Sequence, residues 1–582
     1  GVLLGGGAPG VIGSAFKERF KDEIASLPPL RRPDSDEIRR ILKSFRWNTG
    51  LGADALPPRA VAELDDEGIE MLIDILMKVE AVGSWPTITR LIFVVLLAKP
   101  AGGFRPIGLL ATLYRVWARL RKKDVKEWEE GHCPKGVYGC KGRSAEDSAW
   151  EQAMRSEAAE GVGGFSASVL LDLEKCYELV LLGRLENRCV LQGLDPRIVG
   201  MAVAMYRADR RVILGGSAST PTNVVRGMIA GCTFATTFLR ALILPGLARV
   251  REACENVGLY VMVDDITLQW TGLDKAGAIQ LVDAADIIIN YLEGDLDLVV
   301  SRSKSGIVAS DKDIALTIRN GMEGSMIFNQ DWMRNLGVDQ FSHITSRRMP
   351  MQRIQACRLR LGPIARLRNL VGKRVRVIVN SGLRAAWRYG CAVFGTSDQE
   401  LQIQRATAAS ALGFPGGSHT TLPFMVEGGR TDPIFDATMG PVGKFCSRIW
   451  DHKVQLPLVK QAFAGLDNHS TWKTVRGPVA ALRLSLRRVG WDIVSPFTLR
   501  TVDGTELCVT KVAPKDVLSS LKDDIVAWQW KKVAEANGWP SPPLAWLEPL
   551  RAVIHSRMAP KRGGAARVAV IQSMWSGLLL MQ

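Results

Sequence analysis

Tyr260-Val261-Met262-Val263-Asp264-Asp265-Ile266-Thr267-Leu268 sets two adjacent carboxylates inside an apolar, β-branched run. Such a run reads as a buried strand. A buried Asp pair is costly, because like charges in a low dielectric raise each other's pKa. Two arrangements relieve it: a cation between the carboxylates, or a tight hairpin that turns them into water. On this stretch alone both stay open. Ser168-Val169-Leu170-Leu171-Asp172-Leu173 is a second strand that ends on Asp. Side by side, the two strands would converge Asp172, Asp264 and Asp265 on one spot, which favours the cation. Hard oxygen donors of this kind suit Mg²⁺, with Mn²⁺ as a substitute. Two such ions about 3.5–4 Å apart drive in-line phosphoryl transfer.

The chain has 582 residues, enough for two to four domains, and 47% of them are hydrophobic, which predicts a folded protein. Lys and Arg outnumber Asp and Glu by 75 to 59, a net charge of +16 that predicts attraction to a polyanion. The ten cysteines are scattered without a C-x-x-C, and the six histidines form no zinc pattern with them. Reduced thiols in an intracellular protein are expected. The run Leu91–Ala98 is too short to span a bilayer, and no signal peptide is visible. Gly1 in place of Met is what a fragment of a longer open reading frame would show.

The ordered series of motifs resembles the reverse transcriptases of LINE-like (non-LTR) retroelements, over about Thr49 to Gly390. Asp172-Leu-Glu-Lys-Cys-Tyr177 resembles that family's first catalytic motif, and Met262-Val263-Asp264-Asp265 its second, with Met262 in place of an aromatic. Lys99-Pro100-Ala-Gly-Gly-Phe-Arg105-Pro106-Ile107-Gly108 resembles the fingers hairpin, where Lys99 and Arg105 would clamp a triphosphate. Gly139-Cys140-Lys141-Gly142-Arg143-Ser144 resembles the template loop, with Cys140 for an aromatic and with Lys141 and Arg143 as nucleic-acid contacts. The resemblance implies that Tyr177 lies under the sugar and selects dNTPs. Gly227 and Gly231 match the glycines beside template and nucleotide, although Ala230 stands where the family has Gln. A strand over Leu296–Ile307 would present Lys304 to the leaving pyrophosphate, as a general acid does. Met333–Val338 resembles the primer-grip turn, at Leu336 and Gly337.

From Arg347 to Arg388 the chain holds twelve Lys or Arg and no Asp or Glu. Arg358, Arg366 and Arg374 are the expected phosphate contacts of a basic groove. Elsewhere the pattern predicts a β-pair of Arg211–Leu214 with Asn223–Val225, a helix over Asp274–Leu292 and a long helix over Pro514–Ala536. Trp450, Trp472, Trp491, Trp528, Trp530, Trp539, Trp546 and Trp575 argue for a packed C-terminal region, but no chemistry is legible there. The implied fold is α+β, a right-hand polymerase. Its expected parts are an N-terminal extension (1–48), fingers (49–160), an antiparallel-sheet palm (161–325), a basic helical thumb (326–395) and a mixed C-terminal domain (396–582). The implied activity is RNA-directed DNA synthesis by two-metal nucleotidyl transfer, with Asp172, Asp264 and Asp265 as ligands. The partners would be an RNA template, a DNA primer, dNTPs and the element RNA, in a nuclear or cytoplasmic ribonucleoprotein away from membranes. Two other classes stay open: a catalytically degenerate, polymerase-shaped RNA-binding protein, and an RNA-copying RNA polymerase.

Overall fold

The computed structural model describes residues 9–99, 102–325, 327–342, 347–414, 420–426 and 431–538. Trp539, Trp546 and Trp575 lie outside them. In chain order, the strands that position the site are β1 (Leu91–Ala98), β2 (Phe104–Leu109), β3 (Val137–Tyr138), β4 (Phe165–Leu171), β5 (Asp209–Leu214), β6 (Ser217–Ala218), β7 (Val257–Met262), β8 (Asp265–Gly272), β9 (Gly306–Ala309), β10 (Trp332–Asn335) and β11 (Val338–Phe341).

The β-branched run around the Asp pair folds as the β7–β8 hairpin, with Met262 opposite Asp265 and Val261 opposite Ile266. It sits in a five-stranded sheet of order β3-β7-β8-β4-β9. Strand β8 lies between two antiparallel partners, so Ile266 to Trp270 are buried without a break. The two faces differ chemically. Val169, Leu171, Ile266 and Leu268 join an apolar cluster with Phe238, Leu242, Ala284 and Ile288, from the helices Ala235–Ala253 and Gln280–Asn290. Each of these side chains larger than alanine, fully buried, contributes about 1.5–3 kcal/mol. The other face carries Ser168, Tyr260 and Gln269 and is covered by the helix Ala145–Gly161. There Gln269 Nε2 donates to the Gln152 carbonyl (2.9 Å) and to Ser156 Oγ (3.0 Å). Asn335 Nδ2 donates to Gln152 Oε1 (2.8 Å), which ties β10 to the same helix. Buried polar groups need such partners, each worth about 0.5–1.5 kcal/mol net.

A second sheet, β2-β1-β5-β6, stands apart. The expected pairing of Arg211–Leu214 with Asn223–Val225 is not formed. Strand β5 instead runs parallel to β1 and turns back through β6, leaving one isolated bridge between Arg210 and Thr222. Tight glycines at 215 and 216 let the chain reverse before it reaches Asn223. The strand expected over Leu296–Ile307 is also shorter. A π turn occupies Tyr291–Asp295 and β9 starts only at Gly306, so Lys304 sits on a turn. The helix over Asp274–Leu292 divides into a 3-10 turn (Lys275–Ile279) and an α-helix (Gln280–Asn290).

The C-terminal region packs against the helix Ala145–Gly161 in one apolar cluster that joins Trp150, Met154 and Ala158 to Val479, Leu482, Trp491 and Ile525. The amides of Val479 and Ala480, at the start of the helix Pro478–Arg487, each donate to buried Glu157 at 2.8 Å. Burial pushes that carboxyl up to about 8 against the pull of the two amides. The helix Pro514–Asn537 forms as its pattern predicts. A separate cluster unites Cys357, Ile364, Val375 and Trp387 with Ala408, Ala409 and Phe424, so one packed body runs across position 395.

An aromatic nest of Trp85, Tyr114, Trp117 and Phe234, with neighbouring centroids 5.3–5.6 Å apart, meets a buried ion pair through Trp117. Glu80 accepts from Arg121 Nε and Nη2 (both 2.6 Å) and from Trp117 Nε1 (2.7 Å), with side chains 9% and 2% exposed for Glu80 and Arg121. Removing one partner strands a buried charge. Glu80→Ala is expected to cost about 3–5 kcal/mol in urea denaturation. Asp74→Ala, which breaks the exposed Arg32–Asp74 pair, should cost under about 1 kcal/mol. Equal losses would contradict the assignment.

Candidate active site

Val263 and Asp264 form the two-residue turn between β7 and β8. Val263 has φ +64°, a left-handed conformation that a β-branched residue resists. Asp265 begins β8. Strand β4 lies antiparallel on the other side of β8, with Leu171 opposite Ile266, so the next residue on, Asp172, arrives beside Asp265. The three carboxylates expected from sequence are thus delivered to one end of neighbouring strands.

Their electrostatics carry the mark of that crowding. Burial, then Asp264 and Asp172, push Asp265 up to about 6, while Arg334 and Lys304 pull it down. Asp264 is raised as well, by burial first and then by Asp172. Lys304 Nζ lies 2.9 Å from Asp172 Oδ2 on a side chain 66% exposed, and that hydrogen bond raises the Lys304 pKa. The turn carrying Lys304 also fixes Asp172 through its backbone. The Asp172 amide donates to Ser305 Oγ (3.1 Å), and the Ser301 amide donates to the Asp172 carbonyl (2.8 Å).

Hard carboxylate oxygens that repel one another have the chemistry to hold a divalent cation such as Mg²⁺ or Mn²⁺. Among the described residues, no group of three or more His, Cys, Asp and Glu side chains is drawn together as a closed ligand set. One Asp172 oxygen is instead engaged by Lys304.

Tyr177 lies on the short helix Cys176–Leu179, entered through Lys175 at φ +43°. Its ring is half-buried against the main core, and its pKa rises through burial, then falls toward Thr236 and rises again with Asp264 nearby. The Met228 amide donates to the Tyr177 carbonyl at 2.7 Å, so the segment with Gly227 and Gly231 is anchored beside it. Gly231, at φ +91°, has no heavy atom within 4 Å of where a Cβ would stand.

Lys99 and Arg105 are exposed at the tip of the β1–β2 hairpin, in the second sheet. Among the described residues neither contacts the carboxylates. Lys141 is paired with Glu130 at 3.2 Å on the surface. Arg143 turns inward: its Nη1 reaches the carbonyls of Cys133 (3.2 Å), Pro134 (2.7 Å) and Val137 (3.4 Å). The Arg143 guanidinium thus ties its own loop together.

Leu336 (φ +48°) and Gly337 (φ +80°) form the turn between β10 and β11. Both turn carbonyls are taken: Tyr389 Oη donates to Leu336 (2.6 Å), and Arg353 donates to Gly337. Of the basic run, Arg347 pairs with Glu400, Arg384 with Asp436, and Arg368 binds the Ser410 carbonyl. These acids and carbonyls lie beyond the run itself. Arg358, Arg366 and Arg374 remain exposed on the surface of the helices. Sequence reading missed Arg334, whose charge acts on Asp265, and the Arg353–Tyr389 hold on the turn. Their partners are brought near only by the fold, and no local pattern marks them.

No family model matches the chain, and no curated protein matches it. Among solved structures, apo telomerase from Candida tropicalis, truncated from its C-terminal domain, aligns with 13% identity and a TM-score of 0.30, covering 44% of this chain and 53% of that one. The chain thus spans about half the length of that telomerase chain, and a likeness at this level assigns it to no family.

The two turn glycines give a direct check. A left-handed backbone costs an L-residue about 1–2 kcal/mol. Gly231→Ala should lose about that much stability, whereas Gly337→Ala should lose more, because its Cβ would stand 2.9 Å from Arg353 Nη2. Equal losses in chemical denaturation would contradict the Arg353 contact.

Proposed function

We propose that the chain is a template-directed nucleotidyltransferase, an RNA-directed DNA polymerase of the kind found in LINE-like retroelements. The observation that carries this reading is the register of β4 and β8 against the β7–β8 turn, which brings Asp172 beside Asp264 and Asp265. In this reading the five-stranded sheet is a palm, the β1–β2 hairpin belongs to the fingers, and the basic helices after Arg347 are a thumb.

Asp172 and Asp264, assisted by Asp265, would hold two Mg²⁺ ions. When bound, such ions activate a primer 3′-oxygen and neutralise the triphosphate. The chain's own side chains do the rest. Lys99 and Arg105 would close over the triphosphate, one as a point charge and one as a fork. Lys304, beside Asp172, would face the leaving pyrophosphate. The half-buried ring of Tyr177 would lie under the sugar and leave no room for a 2′-hydroxyl. The open space at Gly231 lets a base pair approach the backbone. The turn at Leu336-Gly337 would steady the primer end, and exposed Arg358, Arg366 and Arg374 would follow the phosphates of an RNA–DNA duplex. Gly227, Lys141 and Arg143 would shape the template side.

A second reading is favoured by one observation. Lys304 already neutralises Asp172, as a cation would. A chain that uses this internal pair permanently would be a polymerase-shaped RNA-binding protein without catalysis.

Primer extension on an RNA template with Mg²⁺ separates the two. Asp264→Asn is expected to abolish extension, a loss of about two to three orders of magnitude or more than the assay can follow, by analogy with removal of a main electrostatic group. Affinity for an RNA–DNA primer–template should stay within a few-fold. Extension at the wild-type rate in Asp264→Asn would overturn the assignment. A wild-type chain that binds primer–template and never extends it would establish the second reading.

A further inference from the structure

Seven of the ten cysteines are buried; Cys133, Cys140 and Cys508 reach solvent. Two of those three face each other. The Cys133 thiol donates to Cys140 Sγ at a sulfur–sulfur distance of 2.8 Å. A disulfide bond is about 2.05 Å long, so closure moves the sulfurs by less than about 1 Å. Cys508 has a hydroxyl, Thr510 Oγ1, at 3.1 Å and no such thiol neighbour among its hydrogen bonds.

The approach of the two thiols is built into the loop. Arg143 Nη1 gathers the carbonyls of Cys133, Pro134 and Val137, and the Gly139 amide donates to the Arg143 carbonyl at 2.8 Å. Both ends of the loop are therefore fixed by one guanidinium and one backbone bond. We propose that Cys133 and Cys140 are a redox-active dithiol, a modification site that takes a low-molecular-weight disulfide of the glutathione class and closes to an intramolecular bridge. Burial and the hydrogen bond to Cys140 push the Cys133 thiol up to about 12. In that contact Cys133 donates and Cys140 accepts, which assigns Cys140, once deprotonated, as the attacking sulfur.

The steps balance. The Cys140 thiolate attacks one sulfur of R–S–S–R, forms Cys140–S–S–R and expels one R–S⁻. Cys133 then loses its proton and attacks Cys140 Sγ, expelling the second R–S⁻. Two protein thiols are oxidised, the small disulfide is reduced to two thiols, and the two protons pass to them.

The bridge would act on a neighbour of the carboxylates. Strand β3, inside the ring that closure creates, pairs in parallel with β7, Tyr138 with Met262. The Val261 amide donates to the Gly136 carbonyl (2.8 Å), and a Cβ at Gly136 would strike the Leu259 carbonyl at 2.0 Å. Loop and hairpin are thus in backbone contact one residue from the Val263-Asp264 turn. This inference does not depend on the polymerase reading.

The test uses the full chain, incubated with oxidised glutathione or with dithiothreitol, then denatured, alkylated and weighed. After oxidation, two fewer thiols should be alkylated, one proteolytic peptide pair should link Cys133 to Cys140, and dithiothreitol should restore both thiols. Cys133→Ser should stop at one glutathione on Cys140. The wild-type measurement needs no variant to fold. An unchanged thiol count, a glutathione adduct on wild-type Cys140 without the linked peptide, or a link to Cys508 would each overturn the proposal.

Discussion

Like-charge repulsion among Asp172, Asp264 and Asp265 is the constraint around which the five-stranded sheet is arranged. At one end of β4 and β8, burial and the neighbouring carboxylates raise the pKa of Asp264 and Asp265. The fold answers locally. Lys304 pairs with Asp172, the Ser301–Ser305 turn binds the Asp172 backbone on both sides, and the charge of Arg334 acts on Asp265. It also accepts a strained Val263 at the turn itself. A site that concentrates cost in this way, while the rest of the sheet is conventionally packed, is where chemistry is to be sought.

The remaining structure holds those strand ends still. The apolar face of the sheet rests on two helices, and the polar face is satisfied by Gln152 and Ser156 of the helix Ala145–Gly161. That helix is in turn clamped by the C-terminal region, through its apolar cluster and through Glu157 at the start of the helix Pro478–Arg487. A region with no legible chemistry thus has a physical role: it packs against the helix that covers the polar face of the sheet. The β10–β11 turn is held similarly, by Arg353 and Tyr389, which ties the basic helices to that two-stranded hairpin.

What could be read in advance follows from how local its cause is. The β7–β8 hairpin is a pattern within a few consecutive residues. Strand β1 follows from a short continuous apolar run, and the helix Pro514–Asn537 from the spacing of its apolar residues. The convergence of Asp172 on the Asp pair needed one further assumption, that the two strands are neighbours, and the sheet order meets it. Partners distant in sequence were not legible. Strand β5 pairs in parallel with β1 across more than a hundred residues, and no local pattern marks that partner. The inward turn of Arg143 depends on carbonyls that only the folded loop presents. The acid-free basic run read as a uniform groove, yet Glu400 and Asp436 from later helices take Arg347 and Arg384.

The central claim is that these carboxylates and Tyr177 together build DNA on an RNA template. Extension of oligo(dT) on poly(rA) in Mg²⁺, with the kcat/KM ratio for dTTP over rUTP measured in wild type and in Tyr177→Ala, tests it most directly. The account predicts that wild type extends with dTTP and strongly disfavours rUTP, and that Tyr177→Ala admits rUTP while its use of dTTP falls modestly, since a packed ring excludes only the sugar that carries a 2′-oxygen. A wild-type preference for rUTP, or a ratio unchanged by the substitution, would contradict it.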